Sequence, residues 1–307
     1  MNFLTTLGNL FSTWPGAIAQ GMIWGIMAIG VYITYKILDF ADLTVDGSLC
    51  TGAAVCTMIV RAGGNIWLAM LAGLLAGMAA GLLTGVFHTV MGIPAILSGI
   101  LTQLILWSIN LKILGQANQA LPARNYDVLV AQLRKGESIL TLVLFCAVII
   151  AVLYWFFGTE LGSSIRATGC NPNMSRAQGI HTERNKIFAL MLSNGFVGVA
   201  GALLAQYQGF ADINMGRGAI VIGLAAVIIG EAVFVKLARS FIARLIGVVV
   251  GGIIYYLVYQ SVIFIGLDTD LLKMLSAIVV AIFIAFPYLK KTYFSKPVRK
   301  GDQNAGT

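Results

Sequence analysis

GLLAGMAAGLLTG, residues 73–85, places a glycine at every fourth position of a long apolar run, at Gly73, Gly77, Gly81 and Gly85. Residues four apart share one face of a helix, so these glycines form a groove that another helix backbone can enter. The same spacing recurs in two other apolar runs, at Gly21 and Gly25 and at Gly247 and Gly251. The pattern predicts a tightly packed bundle of membrane-spanning helices.

The bulk composition also indicates a membrane protein. Of the 307 residues, 59% are hydrophobic and 10% are charged, whereas soluble domains carry about 25% charged residues. A bilayer core requires about 20 apolar residues per helix. Runs of that kind lie at 17–36, 43–61, 65–87, 93–114, 138–158, 186–208, 217–236, 243–264 and 270–289. We therefore expect an all-α polytopic membrane protein with eight or nine transmembrane helices.

The chain divides into three expected segments. Residues 1–16 are uncharged and are interrupted by Trp14-Pro15-Gly16. Because they lack a basic n-region, they favour an interfacial helix over a cleaved signal peptide. Residues 17–289 form the transmembrane domain, and residues 290–307 form a basic tail. The second span is expected to be broken, because Asp46-Gly47-Ser48 interrupts its start.

The distribution of basic residues predicts the orientation in the lipid bilayer. If the polar loop at 162–187 is cytoplasmic, thirteen of the 20 lysines and arginines fall on its side and the other seven on the opposite side. Cytoplasmic loops carry the excess of Lys and Arg. This asymmetry places the C-terminus in the cytoplasm and, with nine spans, the N-terminus outside. It also explains the net charge of +8 without a nucleic-acid partner.

The sequence lacks the motifs of common ATPases and hydrolases. It has no GxxxxGK[ST] phosphate loop, no HExxH and no GxSxG. Its four cysteines form no CxxC pair and it has two histidines, which argues against a metal site. We expect no catalytic activity and no cofactor on this chain.

Acidic residues interrupt two apolar stretches. In the first, Asp39 and Asp42 are interpreted as a solvated turn, whereas Asp46 and Ser48 fit a solvated turn and a substrate path equally well. In the second, Glu231 is interpreted as an interfacial carboxylate that pairs with Lys236 or Arg239. The outward loop 206–220 fits a docking surface, a pore mouth or a plain connection.

The polar loop at residues 160–186 is longer than a connection requires. SSIRATG and NMSRAQGI within it each favour a short helix, and Cys170-Asn171-Pro172 separates them. Small and basic residues suit contact with a soluble partner. A basic, lipid-facing loop that sets topology is the alternative.

GSSIRATGCNPNMSRAQGIHTERNKIFALMLSNGFVGVAGAL (residues 162–203) resembles the coupling-loop signature of permeases in the branched-chain amino acid and ribose class of ABC importers. DFADLTVDGSLCTGA (39–53), GIPAILSGIL (92–101) and GLAAVIIGEAVF (223–234) resemble further segments of that class. Within it, permeases for aromatic amino acids are the most similar branch. Glu231 departs from the pattern, since many relatives carry glycine there.

The resemblance implies a homodimer of permease chains that works with two cytoplasmic ATPase subunits, which bind ATP and Mg²⁺, and with an external substrate-binding protein. It implies inward transport of a small polar solute, an amino acid and in particular an aromatic one, by alternating access. It assigns ATPase coupling to Gly162, Ile165, Arg166, Ala167, Asn171, Arg176, Ala177, Gly179 and Ile180, with Arg166 expected to meet an acidic group of the ATPase. Expected path or gate residues are Asp46, Ser48, Ser193 and Asn194.

An ion-coupled secondary transporter is the competing hypothesis. It requires a buried carboxylate or histidine relay near the membrane midplane and is often accompanied by an internal repeat. No convincing repeat is visible in the sequence, and Asp46 alone gives it little support.

Overall fold

The computed structural model describes residues 3–234 and 240–264, together with positions 274, 277, 278, 281, 282 and 285. The predicted tail 290–307, Lys236 and Arg239 lie outside the described residues. So does the predicted span 270–289, apart from those six positions.

The described chain consists almost entirely of helices. Five long helices precede the polar loop: α1 Phe3–Tyr32, α2 Val45–Arg61, α3 Ile66–Thr89, α4 Ala95–Leu114 and α5 Lys135–Gly158. Two short helices form the loop, α6 Glu160–Cys170 and α7 Pro172–Ala177. Three more follow: α8 Thr182–Gln208, α9 Ala219–Phe234 and α10 Phe241–Phe264. A π-helical turn, Ile33–Ile37, extends α1, and two short strands, β1 Asn118–Ala120 and β2 Phe210–Asp212, pair antiparallel.

These bounds confirm the all-α prediction and match eight of the expected spans, but they correct two details. Residues 3–16 do not form a helix separate from the first span, since α1 runs continuously through Pro15. Proline removes one backbone hydrogen bond from the helix. A complete break would leave several backbone groups unpaired in apolar surroundings, which costs more. Asp46-Gly47-Ser48 does not break the second span either, because α2 begins at Val45 and carries Asp46 in its first turn.

The glycine ladder of α3 packs against α8, which is the most buried of the helices after the polar loop. A methyl group on Gly77 would overlap the carbonyl of Asn194, and one on Gly81 would overlap that of Leu190. Gly85 meets Ile187, and Gly73 faces Ala202. The two backbones therefore approach as the fourfold spacing predicts, and the two helices run antiparallel.

The other two glycine pairs also lie at helix contacts. Gly21 and Gly25 of α1 meet Ile253 and Val249 of α10. Gly251 of α10 meets the carbonyl of Ala226 in α9. Helices α1, α9 and α10 thus form a second closely packed group beside α3 and α8.

The outer faces of the bundle are apolar. Leu71 of α3, Leu104 of α4 and Leu144 of α5 are exposed, as lipid-facing residues are. Among the described residues, six helices are long and apolar enough to cross a membrane, and α9 is a shorter apolar helix. The protein is therefore a multi-pass membrane protein.

The connections sort into two ends of the bundle. At one end, the Lys186 ammonium lies 3.2 Å from the His88 imidazole, and Gly169 of α6 packs on the backbone of Ile37. At the other end, the Arg61 guanidinium donates to the carbonyl of Ala120 at 2.6 Å, next to the β1–β2 pair. Within the described residues, the turn after α1, the turn after α3 and the loop 160–186, which the basic-residue count groups together, therefore lie at the same end of the bundle.

Candidate functional site

The chain leaves helical geometry between α1 and α2, in residues 38–44, which we call the helix break. The π-helical turn precedes it, and the Phe40 amide reaches back to the Thr34 carbonyl at 2.9 Å. Asp39 then adopts the left-handed region with φ of 55°. Single polar residues such as Asp tolerate this conformation better than branched ones do. The break therefore ends α1 and redirects the chain into α2.

Asp42 in the helix break is the centre of a buried polar network. Only 1% of its surface is exposed. Its Oδ2 accepts a hydrogen bond from Asn194 Nδ2 at 2.7 Å, and its Oδ1 accepts from the Thr44 amide at 2.9 Å. Ser48 donates to Asn194 Oδ1 at 2.6 Å. The interpretation of Asp42 as part of a solvated turn is wrong, because α8 supplies the partners that burial requires. Asp39 is exposed, as expected.

Three threonine hydroxyls extend the polar contacts across neighbouring helices. Thr44 and Thr84 lie 2.6 Å apart, and Thr84 donates to Thr102 at 2.9 Å. Thr102 donates in turn to the carbonyl of Ser98 at 3.0 Å. All three threonines are buried. The chain of hydroxyls ties the helix break to α3 and α4 with no unpaired group.

The four expected path residues do not form one cluster. Ser48 and Asn194 bind each other, whereas Ser193 donates to the Gly30 carbonyl of α1 at 2.7 Å. Both Ser193 and Asn194 lie near the middle of α8 rather than at its start. Because successive helix positions differ in direction by about 100°, Ser193 faces α1 while Asn194 faces the helix break.

Asp46, the fourth residue, binds the start of α9. Its Oδ2 accepts from the Gly218 amide at 2.9 Å and its Oδ1 from the Ile220 amide at 3.0 Å. The first amides of a helix have no partner within it and carry partial positive charge. The carboxylate therefore fixes α9 relative to α2.

The chain that leads into α9 lies deep in the bundle. After β2 it is non-helical until Ala219, and Gly216 packs against the carbonyl of Asp46. The depth of this segment follows from its contact with Asp46. Ser48, two residues beyond Asp46, binds Asn194, which lies near the middle of the 27-residue α8. Non-helical backbone at membrane depth is tolerated where protein buries it or where it lines a water-filled path. The described part of α9 has 16 residues, fewer than the about 20 that a full span requires.

A cavity of about 250 Å³ lies where α2, α4 and this non-helical segment meet. Asp46, Gly47 and Cys50 form one wall, and Ile213 and Arg217 form another. The α4 wall is lined by Gln103, Leu104, Trp107 and Asn110. Polar side chains at a discontinuous helix are typical of solute paths in transporters.

The predicted coupling loop, residues 160–186, which we call the coupling region, forms the two short helices that the sequence predicts. The Thr159 hydroxyl accepts from the Gly162 amide at 3.3 Å and begins α6, and Asn171 Oδ1 accepts from the Met174 amide at 3.0 Å and begins α7. Asn185 of α8 donates to Thr168 at 2.9 Å and holds α6 against the bundle. Both turns use side-chain caps that the sequence encodes locally.

The nine predicted coupling residues divide by exposure. Gly162 and Ile165 are buried against the bundle, and Ala167 and Ile180 are partly buried. The exposed members are Arg166, Asn171, Arg176, Ala177 and Gly179. Most of the exposed set lies on or beside α7, so α7 carries the most exposed part of this loop.

The two arginines of the set already have contacts within the chain. The Arg166 guanidinium donates to the Phe157 carbonyl and lies 5.8 Å from the ring centres of Phe157 and Phe241. Arg176 donates to Thr182 at 2.9 Å and lies 3.8 Å from the Glu183 carboxylate. Both therefore stabilise the loop itself.

The coupling region also touches the helix break. Gly169 packs so closely on the Ile37 carbonyl and on Leu38 that a side chain at position 169 would overlap the backbone there. Leu38 is the first residue of the break that carries Asp42. A displacement of α6 therefore reaches the buried network through four residues of backbone.

Glu231 binds a partner that the sequence did not suggest. Its carboxylate lies 3.0 Å from the Lys36 ammonium in the π-helical turn. Lys236 and Arg239, the expected partners, lie outside the described residues. The pair links the end of α9 to the start of the helix break.

Several residues of the site carry no distinctive sequence signal. Thr84, Thr102 and Asn110 are isolated polar residues in apolar runs, which is the only pattern that singles them out. Membrane helices often bury such residues against one another. Arg217 belongs to the loop 206–220, which the sequence left open as a docking surface, a pore mouth or a plain connection. Its position in the cavity wall favours the pore mouth.

The comparisons with known proteins agree with this architecture. Residues 16–285 match the family described as branched-chain amino acid transport system / permease component. A tyrosine transport system permease protein of Clostridioides difficile is 38% identical over 87% of this chain and 88% of its own length. An uncharacterized protein of Rickettsia prowazekii is 31% identical over 90% of this chain and 97% of its own.

More distant relatives include a galactose/methyl galactoside import permease protein of Haemophilus influenzae, 26% identical over 51% of this chain and 46% of its own. No solved structure gives a significant match. The family match covers the helix break, the coupling region and the cavity. The chain belongs to the family of permease components of branched-chain amino acid transport systems.

Proposed function

We propose that the chain is the membrane-spanning subunit of an ATP-binding-cassette importer that moves a small polar solute inward. The observation that carries the proposal is the contact between Gly169 of α6 and the helix break at Ile37–Leu38. It joins an exposed docking helix, α7, to a buried polar network and a cavity. An amino acid is the proposed solute, and the similarity to a tyrosine permease favours an aromatic one.

The partners follow from what the chain lacks and from its family. Two cytoplasmic ATPase subunits bind ATP and Mg²⁺ and dock on α7, while this chain carries no cofactor. A second copy of the chain completes the path, and an external binding protein delivers the solute to the end of the bundle that holds β1 and β2. The protein lies in a bacterial cell membrane with its C-terminus in the cytoplasm and its N-terminus outside.

The mechanism uses the helix break as the moving element. ATP binding closes the ATPase pair and displaces α7 and α6. The Gly169 contact transmits the displacement to Ile37 and Leu38, and so to the Asp42 network. A hydrogen bond is either made or exchanged for another partner, and intermediate positions leave buried groups unpaired. The helix break therefore favours discrete arrangements over gradual bending. Each arrangement opens the cavity to one side of the membrane.

Arg166 has a revised role in this mechanism. Because its guanidinium binds the Phe157 carbonyl and lies over two aromatic rings, it fixes α6 to the end of α5. The contact with an acidic group of the ATPase is instead proposed for Arg176 and Asn171, on the exposed face of the loop.

An ion-coupled secondary transporter is the second candidate, and Asp42 is the observation that favours it. A carboxylate with 1% exposure near the middle of the bundle is what such a carrier needs for proton binding. The network answers this point in part, since all the described partners of Asp42 donate to it and stabilise its charged form.

Transport in proteoliposomes separates the two candidates. The full-length permease is reconstituted with the ATPase and binding protein from neighbouring genes, and uptake of radiolabelled tyrosine is measured. We expect uptake with ATP and Mg²⁺ inside the cytoplasmic compartment and none with ATP omitted. Uptake driven by a proton or sodium gradient without nucleotide would establish the carrier instead.

Replacement of Arg166 by glutamate tests the coupling region. The change removes the carbonyl and ring contacts, so we expect α6 to detach and ATP-driven uptake to fall by about tenfold or more, as loss of a charged hydrogen bond and a cation–π contact implies. Arg166→Lys, which keeps the charge and a donor for the Phe157 carbonyl, is the matched control and should keep most of the uptake. Normal uptake by Arg166→Glu would contradict the coupling role.

A further inference from the structure

The cavity between α2, α4 and the segment before α9 holds two charged groups of opposite sign. Asp46 lines it from α2 and Arg217 lines it from the non-helical segment. The Asp46 carboxylate accepts from the Gly218 and Ile220 amides and also interacts with the Ala219 amide. This leaves about one acceptor position free, since a carboxylate accepts about four hydrogen bonds. Arg217 forms no ion pair within the part of the chain that the structure describes.

A third group in the wall lacks a partner. Asn110 is buried, and its amide nitrogen makes one long contact, 3.5 Å, to the Gly47 carbonyl. Its Oδ1 has no hydrogen-bond partner among the described residues. An unsatisfied buried acceptor is uncommon in a folded protein and is costly. In a cavity wall next to a carboxylate, it fits the donor of a bound molecule.

Apart from Gln103 and the Cys50 thiol, the remaining side chains of the wall are apolar or aromatic. Trp107 and Leu104 of α4 line the cavity, opposite Ile213. An indole ring offers a large rigid face for a flat or apolar side chain. The cavity therefore combines a site for a cation, a site for an anion and an apolar surface, within a volume of about 250 Å³.

We infer that this cavity is a binding site for the zwitterionic group of a free α-amino acid within the permease itself. The solute's ammonium group donates to Asp46 and to Asn110 Oδ1, its carboxylate accepts from Arg217, and its side chain packs on Trp107. The inference rests on the proposed function and adds to it a selectivity step on this chain, separate from that of the binding protein. A sugar, which has no charge, leaves Asp46 and Arg217 unmatched.

Direct binding tests the site without the other subunits. Full-length permease in lipid nanodiscs is incubated with tritiated L-tyrosine, and unlabelled competitors are added. Tyramine lacks the carboxylate, and 3-(4-hydroxyphenyl)propionate lacks the ammonium group. We expect L-tyrosine and L-leucine to compete, the two singly charged analogues to compete about tenfold more weakly or worse, since each loses a charge-assisted bond, and D-ribose not to compete.

Two substitutions assign each charge. Arg217→Gln should remove the preference for tyrosine over tyramine, and Asp46→Asn should remove the preference for tyrosine over the propionate. A structural defect would weaken all competitors together and would not abolish one preference selectively. Arg124→Gln and Asp127→Asn, both exposed and outside the cavity, are the matched controls. If Asp46→Asn does not fold, because Asp46 also holds α9, the Arg217→Gln result decides.

The outcomes separate this inference from the proposed function. Equal competition by tyrosine and both analogues, an unchanged preference in Arg217→Gln, or no saturable binding of either amino acid at millimolar concentration would overturn the site. ATP-driven uptake in proteoliposomes is scored independently. ATP-driven uptake without discrimination between the charged analogues would support the importer and contradict the binding site. Discrimination without ATP-driven uptake would support the binding site and contradict the importer.

Discussion

Two sides of α8 meet at Asn194 and differ in chemistry. On one side, the Asn194 carbonyl touches Gly77 of α3, in a contact of backbone on backbone. On the other side, the Asn194 side chain binds Asp42 and Ser48 through short hydrogen bonds. Close-packed backbones have no alternative arrangement of similar energy, whereas hydrogen-bonding groups can exchange partners. The α3–α8 contact is thus suited to a rigid frame and the helix break to a moving part. Helix α2 beyond the break is itself close-packed on α8, where Gly52 meets the Gly198 backbone and Gly201 meets that of Leu49.

The largest effect is expected where the rigid side is broken. Gly81→Ala places a methyl group on the Leu190 carbonyl, so α3 and α8 must separate. We expect a loss of about 3 kcal/mol in the free energy of unfolding, the upper end for overpacking, and a low yield of monodisperse protein in size-exclusion chromatography. Gly136→Ala, at a glycine with open space around it, is the control. Equal thermal stability of the two variants would contradict the rigid-frame interpretation.

The polar side is broken next, at its amide. Asn194→Leu leaves Asp42 and Ser48 without their α8 partner, and a buried polar group left unsatisfied costs about 1–3 kcal/mol. Since partial rearrangement and water entry are open to the break, we expect folded protein with reduced thermal stability and little uptake. The milder Asp42→Asn should keep ATP-driven uptake, because an amide oxygen still accepts from Asn194. Uptake that a proton gradient drives without nucleotide, and that Asp42→Asn abolishes, would instead favour proton coupling.

The link between the coupling region and the moving part is tested at Gly169. A methyl group there overlaps the Ile37 carbonyl, so Gly169→Ala should push α6 away from the helix break. We expect the ATPase subunits to remain bound and to hydrolyse ATP, while uptake per ATP falls by about tenfold, which corresponds to about 1.4 kcal/mol of coupling energy. Gly158→Ala, in open space near the same loop, is the control. A parallel fall in binding and uptake would point to docking rather than coupling.

The smallest effect is expected at the ion pair between Lys36 and Glu231. Both side chains are partly exposed, 47% and 37%, and exposed pairs contribute about 0–1 kcal/mol. Lys36→Met and Glu231→Gln should each change the midpoint of thermal unfolding only slightly. A double-mutant cycle with a coupling energy well above about 1 kcal/mol would show that the pair holds the break as firmly as the Asp42 network does.

The sequence was sufficient for much of this architecture. Eight of the predicted spans, the two short helices separated by Cys170-Asn171-Pro172 and the glycine contacts all follow from local patterns. It was insufficient for Asp42, which looks like a turn residue when only its chain neighbours are considered. It also misplaced Ser193, because the side of α8 that faces each neighbour depends on helix rotation, which an almost uniformly apolar helix does not reveal.

The amino-acid sequence by itself determined the all-α class, the approximate bounds of the described helices, the close approach to α3 and the two short helices of the loop 160–186. Apolar length, glycine spacing and capping residues act locally. Only the tertiary structure decided that Asp42 binds Asn194, that Asp46 holds the start of α9 and that Arg217 shares a cavity with both Asp46 and Asn110. These pairings join residues up to 174 positions apart. Their partners are fixed by how the helices pack, and no local pattern contains that information.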